Sequence, residues 1–276
     1  MREQVIRIRL HQIEINKNIF KKKYSVPIHL ALGHEAISVA VKSQFKTNDQ
    51  ILLTHRNLHY HLAFGVPFQE IEDAYTLTDD KSESEKLGSM NLTKPSYGNV
   101  YTSNILGNNL AVGLGVALAE NKISSNSVTW IVTGDGAIEE GAFYESLLNS
   151  ASLNLDVIYI IENNSWSLAT SIEERRIDLE LEKLCSAFDI GYTLLETNDV
   201  LEYSKGLEQV RHKCVTNNKP QVVEVALSTL GYYQVEDGSK SRTVNYHAGY
   251  SKAIHDESGI ILANREDPVY VNLERS

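Results

Sequence analysis

The stretch that decides the fold, residues 128–166, reads VTWIVTGDGAIEEGAFYESLLNSASLNLDVIYIIENNSW. Its predicted elements are two apolar strands and one helix between them, at 128–132, about 139–152 and 157–161. Polar residues follow each strand, with Asp135 in the GDG turn after the first and Asn164 after the second. A strand, a helix and a strand in this order predict a βαβ unit whose two strands are parallel and adjacent.

The alternation of helices and strands continues on both sides of this unit. After an amphipathic N-terminal helix, the further predicted elements are helices at 33–45, 110–119 and about 199–215 and strands at 51–53, 191–195 and 221–227. This order predicts an α/β fold, a doubly wound, mostly parallel sheet with helices on both faces. The charged segment 79–86 and the glycine- and asparagine-rich stretch 88–109 are predicted to be loops.

Length and composition exclude several classes of protein. The chain of 276 residues suits a single domain, 1–276, with a helical lead-in and a short C-terminal extension. A net charge of −10 argues against nucleic-acid binding, and no apolar run is long enough for a membrane span. The N-terminus lacks a signal-peptide core, so we expect a cytoplasmic protein. Cys185 and Cys214 have no metal-type spacing and receive no role.

The two polar strand ends predict a binding site. Asp135 and Asn164 are 29 residues apart and joined by one crossover, so the right-handed βαβ rule brings them side by side. A carboxylate and an amide oxygen suit Mg²⁺, which keeps its other positions for phosphate oxygens and water. The predicted ligand therefore carries phosphate groups.

The same residues carry a family resemblance. GDG followed about thirty residues later by NN resembles the thiamin-diphosphate motif, and its surroundings resemble the α subunit of the decarboxylating component of 2-oxo acid dehydrogenases. The G-D-G-x-x-E-E-G run is also similar to the N-terminal half of transketolase. The segments similar to the α subunit upstream are GHEA at 33–36, THRNLHYHLAFG at 54–65, GSM at 88–90 and ILGNNLAVGLGVALA at 105–119.

This resemblance implies a thiamin-diphosphate-binding fold with thiamin diphosphate and Mg²⁺ as cofactors. The implied metal ligands are Asp135, Asn164 and the main-chain oxygen of Trp166. Arg56 matches the family's diphosphate-binding arginine, and His55, in place of the neighbouring tyrosine, can still donate to a phosphate oxygen. The main chain of Ile105, Leu106 and Gly107 is implied to contact the aminopyrimidine ring. Gly134, Gly136 and Ala137 are implied to contact the cofactor at the turn, where the amides of Gly136 and Ala137 are expected at a helix N-terminus that favours phosphate.

Other positions depart from the family pattern. Asn91 follows GSM where the family has a histidine, and STLGYYQVEDG at 228–238 replaces its histidine-rich segment. His59 is the candidate to supply proton transfer instead. The departures argue against transfer to a lipoyl acyltransferase protein. We also expect the catalytic glutamate to come from a β-type subunit, in an α₂β₂ assembly, with helix 110–119 as the close contact.

The sequence thus predicts the α-type subunit of an enzyme that decarboxylates a 2-oxo acid and passes on the acyl or aldehyde unit. A transketolase-like or carboligase subunit acting on an aldehyde or keto sugar stays open as an alternative. A non-catalytic scaffold that keeps the fold is the third reading.

Overall fold

The computed structural model describes residues 1–24, 26–76, 88–123, 126–237, 240–253 and 257–274. Its strands in chain order are β1 (Gln50–Thr54), β2 (Asn99–Ser103), β3 (Thr129–Gly134), β4 (Val157–Asn163), β5 (Trp166–Ser167), β6 (Thr170–Ser171), β7 (Gly191–Leu195), β8 (Gln221–Ala226), β9 (Tyr232–Asp237) and β10 (Lys240–Asn245). Six of them form one parallel sheet in the order β2-β1-β3-β4-β8-β7. The pairs β5–β6 and β9–β10 are separate antiparallel hairpins.

The helices cover both faces of the sheet. In chain order they are α1 (Arg2–Phe20), α2 (Glu35–Gln44), α3 (Leu58–Ala63), α4 (Phe68–Tyr75), α5 (Asn108–Ile123), α6 (Gly141–Ser152), α7 (Ile172–Arg175), α8 (Leu181–Ala187), α9 (Val200–Asn217) and α10 (Pro268–Glu274). No helix among the described residues has the length and apolar character needed to span a membrane.

Successive side chains of the central strands belong alternately to two hydrophobic clusters, one on each face of the sheet. On β3, Trp130 packs in the cluster that contains residues of α1, α2 and α9. Its neighbour Ile131 packs in the other cluster, with residues of α5, α6 and α8. Successive side chains of a strand point to opposite faces, so a strand covered on both sides is apolar throughout. The predicted doubly wound α/β sheet is confirmed.

The small-residue helix α5, which contains the stretch 110–119, packs against its own sheet at Gly113. A Cβ built on Gly113 would lie 2.8 Å from Ile131 Cγ1 and closer still to the terminal methyl of that side chain. Gly115 points the other way and would meet nothing within 4 Å. The close contact at Gly113 is therefore made within this chain, and the contact of helix 110–119 with a β-type subunit stays a prediction.

The structure departs from the predicted elements mainly where they are short. β2 lies inside the stretch 88–109 that was predicted to be a loop, and α3 and α4 were not predicted. β2 carries Asn99, Tyr101 and Ser103, polar residues that suit an edge strand and leave little apolar signal. The predicted loop 79–86 lies outside the described residues.

A buried ion cluster joins the two ends of the chain. Arg9 of α1 donates from Nε to Glu35 Oε1 at 2.6 Å and from Nη2 to Asp267 Oδ1 at 3.0 Å. All three side chains are fully buried. Because a buried charge is tolerated when it is paired and hydrogen-bonded, this cluster fixes α1 and α2 against the segment that precedes α10.

Candidate active site

A cavity opens at the carboxyl edge of the sheet, where β3 and β4 end. Gly134 pairs with Glu162 across these parallel strands, so Asp135 and Asn164 follow directly at neighbouring ends. The cavity has a volume of about 250 Å³. Every cofactor-binding residue named from the sequence lines it, namely His55, Arg56, Ile105, Leu106, Gly107, Gly134, Asp135, Gly136, Ala137, Asn164 and Trp166.

Asp135 is a buried carboxylate with a cationic neighbour. Its side chain is almost inaccessible, and Arg175 donates from Nη2 to Asp135 Oδ2 at 2.6 Å. Burial raises the pKa of Asp135 to about 6, although Arg175 opposes that change. Arg175 is not visible as a site residue in the sequence, because it belongs to α7, beyond the β5–β6 hairpin.

The amide of Asn164 is held at both ends. Its Oδ1 accepts a hydrogen bond from the main-chain N of Trp166 at 3.1 Å, and its Nδ2 donates to Thr229 Oγ1 at 2.6 Å. Thr229 Oγ1 also lies 2.7 Å from His34 Nε2. With Nδ2 engaged by Thr229, the orientation of the amide is fixed, and its oxygen stays on the Trp166 side.

Behind Asn164 lies a buried acid between two histidines. Glu162 accepts from His34 Nδ1 through Oε2 and from His59 Nε2 through Oε1, both at 2.9 Å. Burial alone would raise the pKa of Glu162, but the two histidines outweigh it and hold this pKa well below its usual range. Burial also lowers the pKa of His34. His34 and Glu162 line the cavity, whereas His59 is fully buried and is not among its lining residues.

Arg56 supplies a buried cation. It donates to the main-chain oxygen of Leu30, and its Nη2 donates to that of His247 at 3.1 Å. Burial lowers the pKa of Arg56, yet a guanidinium stays protonated in proteins. Within the described part of the chain, no acidic side chain forms a salt bridge with it. A buried cation that has no carboxylate partner among the described residues is suited to bind an anion in the cavity.

The turns around the cavity require small residues. Gly107 has φ +73°, and a Cβ on it would lie 3.0 Å from Glu140 Cβ. A Cβ on Gly136 would lie 2.7 Å from Ser167 Oγ. At both positions a Cβ would collide with a neighbouring side chain of the protein, so glycine is favoured there.

One detail of the turn differs from the sequence prediction. Gly136 precedes a short 3₁₀ turn, Ala137–Glu139, and helix α6 begins only at Gly141. The amides of Gly136 and Ala137 therefore lie at the start of the 3₁₀ turn rather than at an α-helix N-terminus. Glu139 forms salt bridges with Arg175 and Arg176.

Several cavity residues were not among the site residues named from the sequence. They are His29, His34, Glu162 and His247. Glu162 could have been found from its place at the end of β4, immediately before the two asparagines. His29 and His34 come from the same segment before α2 and His247 from the segment after β10, and only the fold brings these two segments to one cavity.

The donor set fits a divalent cation with a phosphorylated ligand. Asp135, Asn164 and Trp166 offer oxygen atoms on one side of the cavity, and Arg56 offers a cation within the same lining. Oxygen ligands suit Mg²⁺, and guanidinium suits phosphate. Arg175 competes for this position, because it donates to Asp135 and a metal ion bound there would have to displace it or share the carboxylate.

The family model for the dehydrogenase E1 component matches residues 2–253. The pyruvate dehydrogenase E1 component subunit alpha of Rickettsia typhi is 30% identical over 233 residues, which cover 81% of this chain and 69% of that protein. The alpha subunit of acetoin:2,6-dichlorophenolindophenol oxidoreductase of Bacillus subtilis is 25% identical over 197 residues, 71% of this chain and 59% of that protein.

Solved structures agree with the fold. Transketolase of Pichia stipitis in complex with sedoheptulose 7-phosphate superimposes with a TM-score of 0.63 at 17% identity, over 91% of this chain and 39% of that chain. This chain therefore spans well under half of the transketolase it matches. The sheet, the cavity at its carboxyl edge and the family match together show that the chain belongs to the dehydrogenase E1 component family.

Proposed function

We propose that this chain is the α-type subunit of a thiamin-diphosphate- and Mg²⁺-dependent enzyme that decarboxylates a 2-oxo acid. The observation that carries the proposal is the convergence of Asp135, Asn164 and Arg56 on one cavity at the sheet edge. The names of the relatives, a pyruvate dehydrogenase and an acetoin oxidoreductase, support this reaction class. When bound, thiamin diphosphate supplies the electron sink for cleavage of the bond beside the carbonyl.

The chain's own residues hold and orient the cofactor. Asp135 and Asn164 provide side-chain oxygens to the metal, and Trp166 provides its main-chain oxygen. Arg56 and His55 bind the diphosphate, and the backbone of 105–107 meets the aminopyrimidine ring. His59 contacts Glu162 and not the cavity, so its part is to position that carboxylate rather than to move a proton on the substrate.

The test is cofactor binding to the complex reconstituted with its partner. Asp135→Ala removes the only charged oxygen ligand of the proposed shell, so Mg²⁺-dependent binding of thiamin diphosphate should be lost in calorimetry. Asp178→Ala, at an exposed position, is the matched control and should bind as the wild type does. Unchanged affinity in Asp135→Ala would remove this residue from the metal site.

A β-type partner is part of the proposal. Exposed apolar side chains lie beside the cavity and along α5 and α6, among them Ile105, Leu106, Leu118 and Leu148. Such a surface is expected to be covered by another protein. Gly115→Leu, on the outward side of α5, should leave the fold intact and weaken assembly with the partner. Sedimentation that shows an undisturbed complex would place the interface elsewhere.

The second candidate is a carboligase or transketolase-like transfer to an aldehyde or keto sugar. Asn91 and Tyr232 stand where the family would offer histidines, and neither lines the cavity. We therefore expect slow acylation of a lipoyl domain relative to transfer to an aldehyde or keto acceptor. Four histidines do line the cavity, namely His29, His34, His55 and His247, so the acceptor assay has to decide.

The assay supplies 2-oxo acids to the complex and measures carbon dioxide release in the presence of each acceptor in turn. The acceptors are a lipoyl domain, small aldehydes, keto sugars and an artificial oxidant. Rapid acylation of the lipoyl domain without a carboligation product would exclude the second candidate. Failure with every acceptor and the oxidant, in a complex that binds the cofactor, would favour the scaffold reading.

A further inference from the structure

A second cavity, here called the amino-edge cavity, lies at the opposite edge of the sheet, where β1 and β2 begin. Its volume is about 370 Å³, a size typical of small-molecule sites. The end of α2, the loop before β1 and the turn before β2 supply most of its lining. No described residue lines both cavities. Because β1 has five residues at about 3.3 Å each, on the order of 16 Å separates the two edges.

Two lysines on the wall of the amino-edge cavity are cations without a carboxylate partner. Among the described residues, neither Lys42 nor Lys46 forms a salt bridge. Lys42 Nζ lies 4.9 Å from the ring centroid of Phe64 and 5.6 Å from that of Phe45. These two cation–π contacts restrict the ammonium group to positions beside the cavity, so less side-chain entropy is lost when it binds an anion.

Asp49, a carboxylate in the same lining, is already neutralised. Arg211 donates to both of its oxygens, from Nη1 to Oδ2 at 2.5 Å and from Nη2 to Oδ1 at 3.0 Å. Asp49 also accepts hydrogen bonds from the main-chain N of Lys46, the main-chain N of Val128 and the indole of Trp130. Its side chain is fully buried. The two lysines therefore make the charge in this cavity positive, in a chain whose net charge is −10.

Aromatic rings form the apolar part of the lining. Phe45 and Tyr97 are half-buried and both line the cavity. The ring of Phe45 is fixed by an edge contact with Phe64, at 4.8 Å between centroids, and by Gly98, where a Cβ would lie 2.7 Å from Phe45 Cε1. Gln50 adds a side-chain amide that forms no hydrogen bond within the described part of the chain. Rings held in this way are surfaces on which a planar group stacks.

We propose that the amino-edge cavity binds a nucleotide, a ligand in which a planar ring is joined to phosphate. Lys42 and Lys46 bind the phosphate oxygens, and Phe45 and Tyr97 contact the ring. Lysines alone would bind any small anion, whereas lysines beside fixed aromatic rings favour a ligand that carries both groups. The site contains none of the residues assigned to thiamin diphosphate and does not depend on the proposed function.

The test is a calorimetric titration of the full-length chain with adenosine triphosphate, in the presence of a chelator that removes divalent cations. We expect one molecule bound per chain. Lys42→Met and Lys46→Met keep an apolar stem and remove the charge, so each should weaken binding by at least about tenfold. Tripolyphosphate, which lacks the ring, should also bind at least about tenfold more weakly. Lys205→Met, at an exposed position on α9, is the matched control and should bind as the wild type does.

Three outcomes would overturn the proposal: no binding to the wild-type chain, wild-type affinity in both lysine variants, or equal affinities for tripolyphosphate and adenosine triphosphate. Arg56→Gln distinguishes the two cavities. Retained binding in this variant supports the amino-edge cavity, whereas loss of binding would assign the nucleotide to the carboxyl edge and also overturn the proposal. Circular dichroism of each variant confirms that it is folded as the wild type is.

Discussion

Gly113 provides the sharpest test of how α5 is packed. Replacing it by alanine removes a flexible residue from a helix, which by itself stabilises by about 1 kcal/mol. The added methyl, however, would lie 2.8 Å from Ile131 Cγ1, well inside normal contact distance. Overfilling a packed core costs about 1–3 kcal/mol, so we expect Gly113→Ala to be destabilising by up to about 2 kcal/mol.

The packing partner supplies a compensating change. Ile131→Val removes the terminal methyl that the new Cβ would meet, and alone it costs about 0.5–1.5 kcal/mol. In the double variant the closest contact, with Cδ1, is gone, although the neighbouring γ carbon of residue 131 stays close to the added Cβ, so the relief is partial. The double variant should therefore lose less free energy of unfolding than the two single variants lose together. The difference is the interaction energy of the pair, about 0.5–3 kcal/mol.

The measurement is urea denaturation followed by circular dichroism, comparing midpoints at constant slope. Gly115→Ala is the matched control, because nothing lies within 4 Å of its Cβ position, and it should show the stabilising effect of alanine without the clash. Additive losses in the double variant, or equal stability of the two single alanine variants, would refute the packing described for α5.

Three further predictions concern polar groups that are buried or half-buried. Arg9→Met leaves two buried carboxylates without their cation, so it should reduce the free energy of unfolding by about 3–5 kcal/mol in the same urea assay. A loss smaller than about 1 kcal/mol would contradict the stabilising role of this ion cluster. Burial raises the pKa of Asp156 to about 6, so the charged carboxylate destabilises the fold at pH values above that pKa. Asp156→Asn should therefore raise the urea midpoint of unfolding at pH 8 but not at pH 4. An effect that is the same at both pH values would disprove this cause. Thr229→Val removes the hydroxyl that accepts a hydrogen bond from Asn164 Nδ2, so Mg²⁺-dependent cofactor binding should weaken. Thr229→Ser keeps the hydroxyl and should bind the cofactor as the wild type does. Equal affinities of the valine and serine variants in calorimetry would exclude this positioning role.

The sequence was sufficient for elements whose signal is local. Apolar runs at 128–132 and 157–161 identify strands that are covered on both faces, and the intervening helix has its own periodicity. Because right-handed crossovers connect parallel strands, the same pattern also predicted that Asp135 and Asn164 would share one edge. The family resemblance added Arg56 and the backbone at 105–107, all of which line the cavity.

The tertiary structure decided everything that depends on direction or on distant neighbours. Glycine spacing alone could not tell that Gly113 faces Ile131 and Gly115 faces outward, because side-chain direction depends on how the helix is rotated against the sheet. His59 was predicted near the chemistry, yet its α3 backbone directs it behind Glu162. His29 and His247 meet beside Arg56 through packing between segments more than two hundred residues apart, and local periodicity contains no information about contacts of that range.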